Sequence, residues 1–392
     1  MPMIAVEDAS LFYDETGPAD APAVVFSNSL GATVEMWDAQ ARALAGRYRV
    51  VRYDTRGHGR SPAVTAPLSV ERLAADLAGL IAALGIDRAH VVGLSLGGMT
   101  AQALAIHHPE RVASLVLMAT APYLPPADAW DARAATVEAQ GLGAIVDAVM
   151  SRWFTPAMAQ SDPATLAHLR RRFLACDPAG YAACCRAIRD MDLRAVLGRI
   201  AAPTLVVAAA GDPVTTVAMA EDLARAVPGA GLEVVPDAAH LFVAERLQET
   251  NAILEAFLDA QSGVDPETAD LLGLGVANRK AVLGVEHVQR SLANAGTFAL
   301  PWQEFIGRAA WGEIWGDETL PWKTRSMLTL AMMVALNREE EFKLHLRPAL
   351  KNGVSVDELR ALLMQTAIYA GVPAANGGFR WVREVLGPEA DV

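Results

Sequence analysis

The first 120 residues alternate short apolar runs with longer stretches of helical period. AVVFSNS, YRVVRYD, RAHVVGLS and VASLVLMA have strand length and are rich in Val, while VERLAADLAGLIAALG and MTAQALAIHH place apolar residues three and four apart. Such alternation predicts a parallel sheet covered by helices. From Pro122 to about Leu197 the strand-like runs stop and the chain reads as helices rich in Ala, Arg and Trp; strand patterning then returns in APTLVVAAAGD and GLEVVPDAAH. A helical lid at about 122–197, inserted between two strands, is the simplest reading. After NAILEAFLDA comes the polar, aperiodic QSGVDPETAD, which reads as a linker placed at 263–270. Beyond it no segment alternates. VLGVEHVQRSL, RSMLTLAMMVALN, EEEFKLHLRPALK and VDELRALLMQTAIYAG all read as amphipathic helices, the last started by a capping box between Ser355 and Glu358. The expected organisation is an α/β domain over 1–262 followed by an all-α domain over 271–392.

A length of 392 residues suits two domains, and 53% hydrophobic with 20% charged residues supports well-filled cores. With 33 Lys and Arg against 45 Asp and Glu, the net charge of −12 argues against nucleic acid or an anionic membrane surface as partner. No apolar run approaches the ~20 residues of a membrane span, and MPMIAVEDASLFYDE carries acids where an export signal needs basic residues, so a cytoplasmic protein is expected. Cys176, Cys184 and Cys185 read as reduced thiols, and metal-ligand spacing is absent.

The sharpest chemical signal is Gly93-Leu94-Ser95-Leu96-Gly97, set between an apolar strand and a helix. Glycines on both sides permit a strained turn that lifts the Ser95 hydroxyl above a sheet, and the helix N-terminus favours negative charge at an acyl oxygen. A serine hydroxyl needs an imidazole base oriented by a carboxylate. Asp212, after TLVVAAAG, and His240, after LEVVPDAA, supply them in the chain order of an α/β-hydrolase. Asp237 competes with Asp212 but lies too near His240 in sequence to reach it from a separate strand. His58, in DTRGHGRS, reads as a structural loop residue, and His107 and His108 as exposed. Leu96 N–H is one expected oxyanion donor; Leu30 N–H, in VVFSNSLGA with Asn28 shaping the turn, is the other.

SNSLG, YDTRGHGRS, GLSLGG, RWFTP, DPAGYAACCRAI and DMDLR together resemble the 3-oxoadipate enol-lactonases, α/β-hydrolases of aromatic-acid catabolism, over residues 1 to about 260. The resemblance implies an enol-lactone bearing a carboxymethyl group as substrate. Such an anion needs a cation in its pocket; the lid offers Arg133 and Arg152, with Trp130 and Trp153 as walls. A general carboxylesterase or a C–C hydrolase would keep the same three catalytic residues, whereas a haloalkane dehalogenase would need a carboxylate in place of Ser95.

In EEEFKLHLRPAL, Glu341 and His345 stand four apart on one helix face, so the carboxylate is expected to favour the protonated ring, as a general acid requires. VLGVEHVQ, WGEIWG, TRSMLTLAMM, EFKLHLRPALKNGVS and IYAGVPAANGGF resemble the 4-carboxymuconolactone decarboxylases over about 270–390. The fold also hosts cysteine-dependent hydroperoxide reductases, but the last cysteine is Cys185, which excludes that chemistry here. The resemblance implies cofactor-free decarboxylation, with His345 as proton donor, Glu341 as its partner and Arg325 or His287 holding carboxylates. Glu313, between Trp311 and Trp315, reads as a buried structural acid. The two resemblances imply consecutive steps of the β-ketoadipate route, small lactone carboxylates as ligands, and homo-oligomers formed through the C-terminal domain. The rival from another class makes that domain a non-catalytic oligomerisation module.

Overall fold

The computed structural model describes residues 2–62, 67–264 and 270–391. Contacts divide the chain into two compact units, residues 1–161 with 169–273, and residues 162–168 with 274–392. The expected linker at 263–270 falls mostly, at 265–269, outside the described residues.

The first unit is built on an eight-stranded sheet: β1 (Met3–Val6), β2 (Ala9–Thr16), β3 (Ala23–Ser27), β4 (Arg49–Tyr53), β5 (Ala89–Leu94), β6 (Val112–Met118), β7 (Thr204–Ala209) and β8 (Gly231–Val235), in spatial order β1-β2-β4-β3-β5-β6-β7-β8. β1 pairs with β2, and β2 with β4, antiparallel; all other pairs are parallel. Strands β3, β5 and β7 are buried at every position, which is why their sequences are mostly apolar instead of alternating, with Ser27, His90 and Thr204 the polar exceptions. The helix Leu96–His107 is buried from Leu96 to Ile106 and accordingly has no polar face. Between β6 and β7 the lid helices include Ala127–Gln140, Val146–Trp153 and Pro178–Asp190. The three cysteines are free and buried, and burial pushes the Cys176 and Cys185 thiols up to about 12.

The second unit is helical. Helices Trp322–Ala335, Glu339–Lys351, Val356–Ala370 and Val372–Leu386 close around Leu330, Val334, Phe342, Leu346, Leu363 and Trp381. The capping box forms as expected, with Ser355 N–H donating to Glu358 Oε2 at 2.8 Å and Glu358 N–H to Ser355 Oγ at 3.1 Å. VLGVEHVQRSL is not one helix: Gly284, at φ 90°, separates Leu271–Leu283 from Val285–Ala293. Among the described residues no helix is long and apolar enough to cross a membrane.

Candidate active sites

Strand order reverses around β3, whose neighbours are β4 and β5, so the carboxyl ends of β3 and β5 open a crevice at one point of the sheet. Ser27 pairs with Gly93 there, bringing the loop after β3 beside the turn after β5. Ser95 occupies that turn at φ 58° and ψ −115°, a conformation costly for a residue with a side chain. Ser95 N–H donates to the Met118 carbonyl at 2.9 Å and the Thr120 hydroxyl donates to the Ser95 carbonyl at 2.8 Å, fastening it. The flanking glycines are required by space. A Cβ on Gly93 would stand 2.2 Å from the Gly97 carbonyl oxygen, and one on Gly97 would stand 2.0 Å from that of Ser27.

Asp212 and His240 leave the carboxyl ends of the neighbouring strands β7 and β8. His240 Nδ1 lies 2.7 Å from Asp212 Oδ2. The same oxygen accepts the Thr215 hydroxyl at 2.6 Å, while Oδ1 accepts Val214 N–H at 2.7 Å and Thr215 N–H at 3.2 Å. Asp212 therefore makes its own turn and also faces the imidazole. Burial opposes its ionisation, but the His240 charge and these hydrogen bonds outweigh burial and hold its pKa below the ordinary value. Thr215, absent from the sequence reading, had a signal in an acid followed three residues later by a hydroxyl. The competitor Asp237 is exposed, and its carbonyl accepts Arg246.

Ser95, His240 and Leu30 line one cavity of about 30 Å³, walled by Trp130, Arg133, Arg152 and Trp153. Trp130, Arg133 and Arg152 also line a larger chamber of about 550 Å³ among the lid helices. Arg133 lies over the Trp130 and Tyr181 rings, 5.4 Å from each centroid. Acids on its own helix pair elsewhere, Asp131 with Arg189 and Glu138 with Arg186, and among the described residues neither Arg133 nor Arg152 has a carboxylate partner. Leu96 begins the helix after Ser95, and Asn28 holds the Leu30 loop by donating to the Tyr53 carbonyl and accepting Trp37 Nε1–H, at 2.8 and 2.9 Å. His58 is buried away from this cavity, and burial pushes its pKa down to about 4. His107 is exposed and His108 half-buried.

In the second unit the expected set is only partly assembled. His345 stacks on Trp311, with centroids 6.3 Å apart and planes 6° from parallel. Trp311 stacks on Trp315 at 5.0 Å, and its carbonyl accepts Asn278 Nδ2–H at 2.7 Å. Glu341 does not pair with His345: it is exposed and, among the described residues, forms no hydrogen bond or ion pair. Spacing of four residues permits a contact, but the aromatic face of Trp311 takes the imidazole instead. Burial, with the charge of nearby His287, lowers the His345 pKa to about 4, the reverse of the shift expected from a carboxylate partner. Burial and the charges of Arg279 and Arg290 likewise lower that of His287. Arg325 is engaged by one loop, donating to the Asp317 carbonyl at 2.6 Å with the Asp317 carboxylate at 3.4 Å. Glu313 is exposed, so it is not the buried structural acid expected. Sequence reading missed Arg279, which is 8% exposed and bonded to the neutral Gln303 and Ser291 at 2.6 and 3.0 Å.

Residues 22–145 match the alpha/beta hydrolase fold family and residues 301–384 match the carboxymuconolactone decarboxylase family. Over 255 residues, 65% of this chain and 95% of the relative, the chain is 40% identical to 3-oxoadipate enol-lactonase 2 of Acinetobacter baylyi. Over 112 residues, 29% of this chain and 84% of the relative, it is 46% identical to 4-carboxymuconolactone decarboxylase of the same organism. The crystal structure of the enol-lactonase from Burkholderia xenovorans LB400 superposes with a TM-score of 0.64 at 39% identity, covering 66% of this chain and 99% of that one.

Proposed function

We propose that this chain, which belongs to the enol-lactonase-type α/β-hydrolases in its first part and to the carboxymuconolactone decarboxylase family in its last, catalyses two consecutive steps of the β-ketoadipate route. The C-terminal domain, placed at 271–392, decarboxylates 4-carboxymuconolactone to 3-oxoadipate enol-lactone. The N-terminal domain, placed at 1–262, hydrolyses that product to 3-oxoadipate. The observation that carries this reading is that the two family matches fall on separate stretches of one chain, 22–145 and 301–384, while the two relatives are matched over 95 and 84% of their own lengths.

In the hydrolase, Ser95 attacks the lactone carbonyl while His240, oriented by Asp212, takes its proton. Negative charge gathering on the carbonyl oxygen is received by Leu30 and Leu96 N–H. The leaving enolate becomes the ketone, which makes it a better leaving group than an ordinary alkoxide, and water activated by His240 then cleaves the acyl-enzyme. Arg133 and Arg152, free of carboxylate partners among the described residues, receive the substrate carboxylate beside Trp130 and Trp153.

In the decarboxylase, loss of CO2 leaves an electron pair delocalised onto the lactone carbonyl, and the resulting dienolate is protonated on carbon. His345 delivers that proton. It is neutral in the unliganded chain, but carboxylates bound near His345, His287 and Arg279 supply the negative charge that raises its pKa toward neutrality. Assembly of several copies through the C-terminal domain is supported by its exposed apolar side chains, among them Phe298, Ile368 and Tyr369 at 97, 78 and 82% exposure. Tethering fixes the two activities in equal amount and raises the local concentration of the intermediate. The test supplies each lactone separately to the Ser95→Ala and His345→Ala proteins. Ser95→Ala is expected to lose only enol-lactone hydrolysis and His345→Ala only CO2 release; loss of both reactions in either variant, or of neither, contradicts the division.

A further inference from the structure

We propose that Glu245 is a positioning residue of the hydrolase, a strut through which the seated lid holds His240 beside Ser95. The inference rests on the assignment of Ser95, Asp212 and His240 made above. Three consecutive residues of the histidine loop are tied toward the lid. His240 N–H donates to the Arg152 carbonyl at 3.3 Å and Leu241 N–H to the Trp153 carbonyl at 2.9 Å, both at the end of the lid helix Val146–Trp153. Ala239 N–H donates to Glu245 Oε2 at 3.0 Å. The other oxygen, Oε1, accepts Thr155 N–H at 3.3 Å together with the Thr155 hydroxyl, which also accepts Met158 N–H at 3.2 Å in the next lid helix, Pro156–Ser161.

Glu245 ends the short helix Phe242–Glu245, so the links close a ring from Ala239 through Glu245 and Thr155 to Arg152 and Trp153 and back to His240 and Leu241. The carboxylate takes three neutral donors and, among the described residues, no cation, which marks its role as geometric. Ala239 lies between Ala238, whose carbonyl accepts Gly211 N–H at 2.9 Å, and His240, and the strut adds a side-chain anchor at its own N–H, one residue before the imidazole. Arg152 and Trp153, which also wall the catalytic cavity, stay linked to His240 and Leu241 through their own backbone, so loss of the strut acts on base alignment and leaves the substrate walls in place.

The experiment compares Glu245→Ala, Glu245→Gln, Thr155→Val and the Glu245→Ala/Thr155→Val pair with the unaltered chain and Ser95→Ala. It measures kcat and KM for p-nitrophenyl acetate, labelling of Ser95 by a fluorophosphonate, and thermal unfolding. Glu245→Ala and Thr155→Val should each lower kcat and labelling by about tenfold, as loss of a hydrogen bond to a charged group would, with KM unchanged. The double variant should be no worse than Glu245→Ala, and Glu245→Gln should recover part of the rate. A Thr155→Val protein with full kcat, a loss confined to KM, or multiplying effects in the double variant would overturn the strut; Thr155→Val keeps this decision open should Glu245→Ala fail to fold. If Ser95→Ala still hydrolyses the ester, the site assignment itself fails; if it is inactive while Thr155→Val is normal, only the strut does.

Discussion

Replacing Asp212 with Asn should disable the hydrolase through the tautomer of His240. The two oxygens of Asp212 are not equivalent. Oδ1 accepts two backbone N–H groups, of Val214 and Thr215, which can only donate, so the carbonyl oxygen of an Asn must stay there. Its NH2 group is then forced into the place of Oδ2, 2.7 Å from His240 Nδ1 and 2.6 Å from the Thr215 hydroxyl. The hydroxyl can turn to accept, so the turn and the fold survive. The imidazole must also accept at Nδ1, which puts its proton on Nε2 and leaves no base facing Ser95. A wrong-tautomer triad loses about 10⁴ in kcat, or about 5.5 kcal/mol of transition-state stabilisation. Steady-state hydrolysis of enol-lactone, with circular dichroism to verify folding, measures it. Asp237→Asn is the control and should retain full activity, since Asp237 is exposed and contributes a carbonyl to Arg246. A kcat loss below about tenfold in a folded Asp212→Asn protein would refute the tautomer argument.

Gly97→Ala should abolish ester hydrolysis while CO2 release persists, because the new Cβ would stand 2.0 Å from the Ser27 carbonyl and displace the loop carrying Leu30; an active lactonase would contradict the close approach. His58 is held neutral when folded, with its pKa at about 4 against about 6.5 unfolded, so the unfolded state gains the proton first and stability falls as pH drops from about 6.5 to about 4, by about 3 kcal/mol over the whole window. Urea midpoints of the hydrolase unit should therefore decline less steeply over that window in His58→Gln, and parallel declines would refute the assignment. Ile368→Glu should shift the protein to smaller species in light scattering, since a charge would enter the apolar surface offered for assembly; an unchanged mass would place the interface elsewhere.

The sequence was most readable where one local constraint decides one feature. Short Val-rich runs identified β3 to β8, and the glycines beside Ser95 identified the elbow because no larger residue fits at Gly93 or Gly97. The antiparallel pair β1 and β2 escaped because β1 is a four-residue edge strand with exposed positions and β2, ASLFYDET, carries polar and charged residues that break its apolar run. Asp212 was separable from Asp237 by strand logic alone, whereas Thr215 acts through a hydroxyl on the Asp212 carboxylate within a turn, and Glu245 through the Thr155 hydroxyl and backbone N–H groups up to 90 residues away in sequence. The decarboxylase site was less legible. Helical period placed Glu341 and His345 on one face, but period does not encode rotamers, and Trp311, from another segment, captured the ring. Arg279 escaped for a related reason, its burial being set by Gln303 and Ser291 on separate helices.

The most direct test of a two-step enzyme on one chain is an NMR time course in which the purified protein receives 4-carboxymuconolactone alone and CO2, enol-lactone and 3-oxoadipate are followed together. The expected result is CO2 release with 3-oxoadipate as the end product, and enol-lactone accumulating when Ser95→Ala is used. If 4-carboxymuconolactone stays intact while added enol-lactone is hydrolysed, the C-terminal domain is not a working decarboxylase and the two-step function is contradicted.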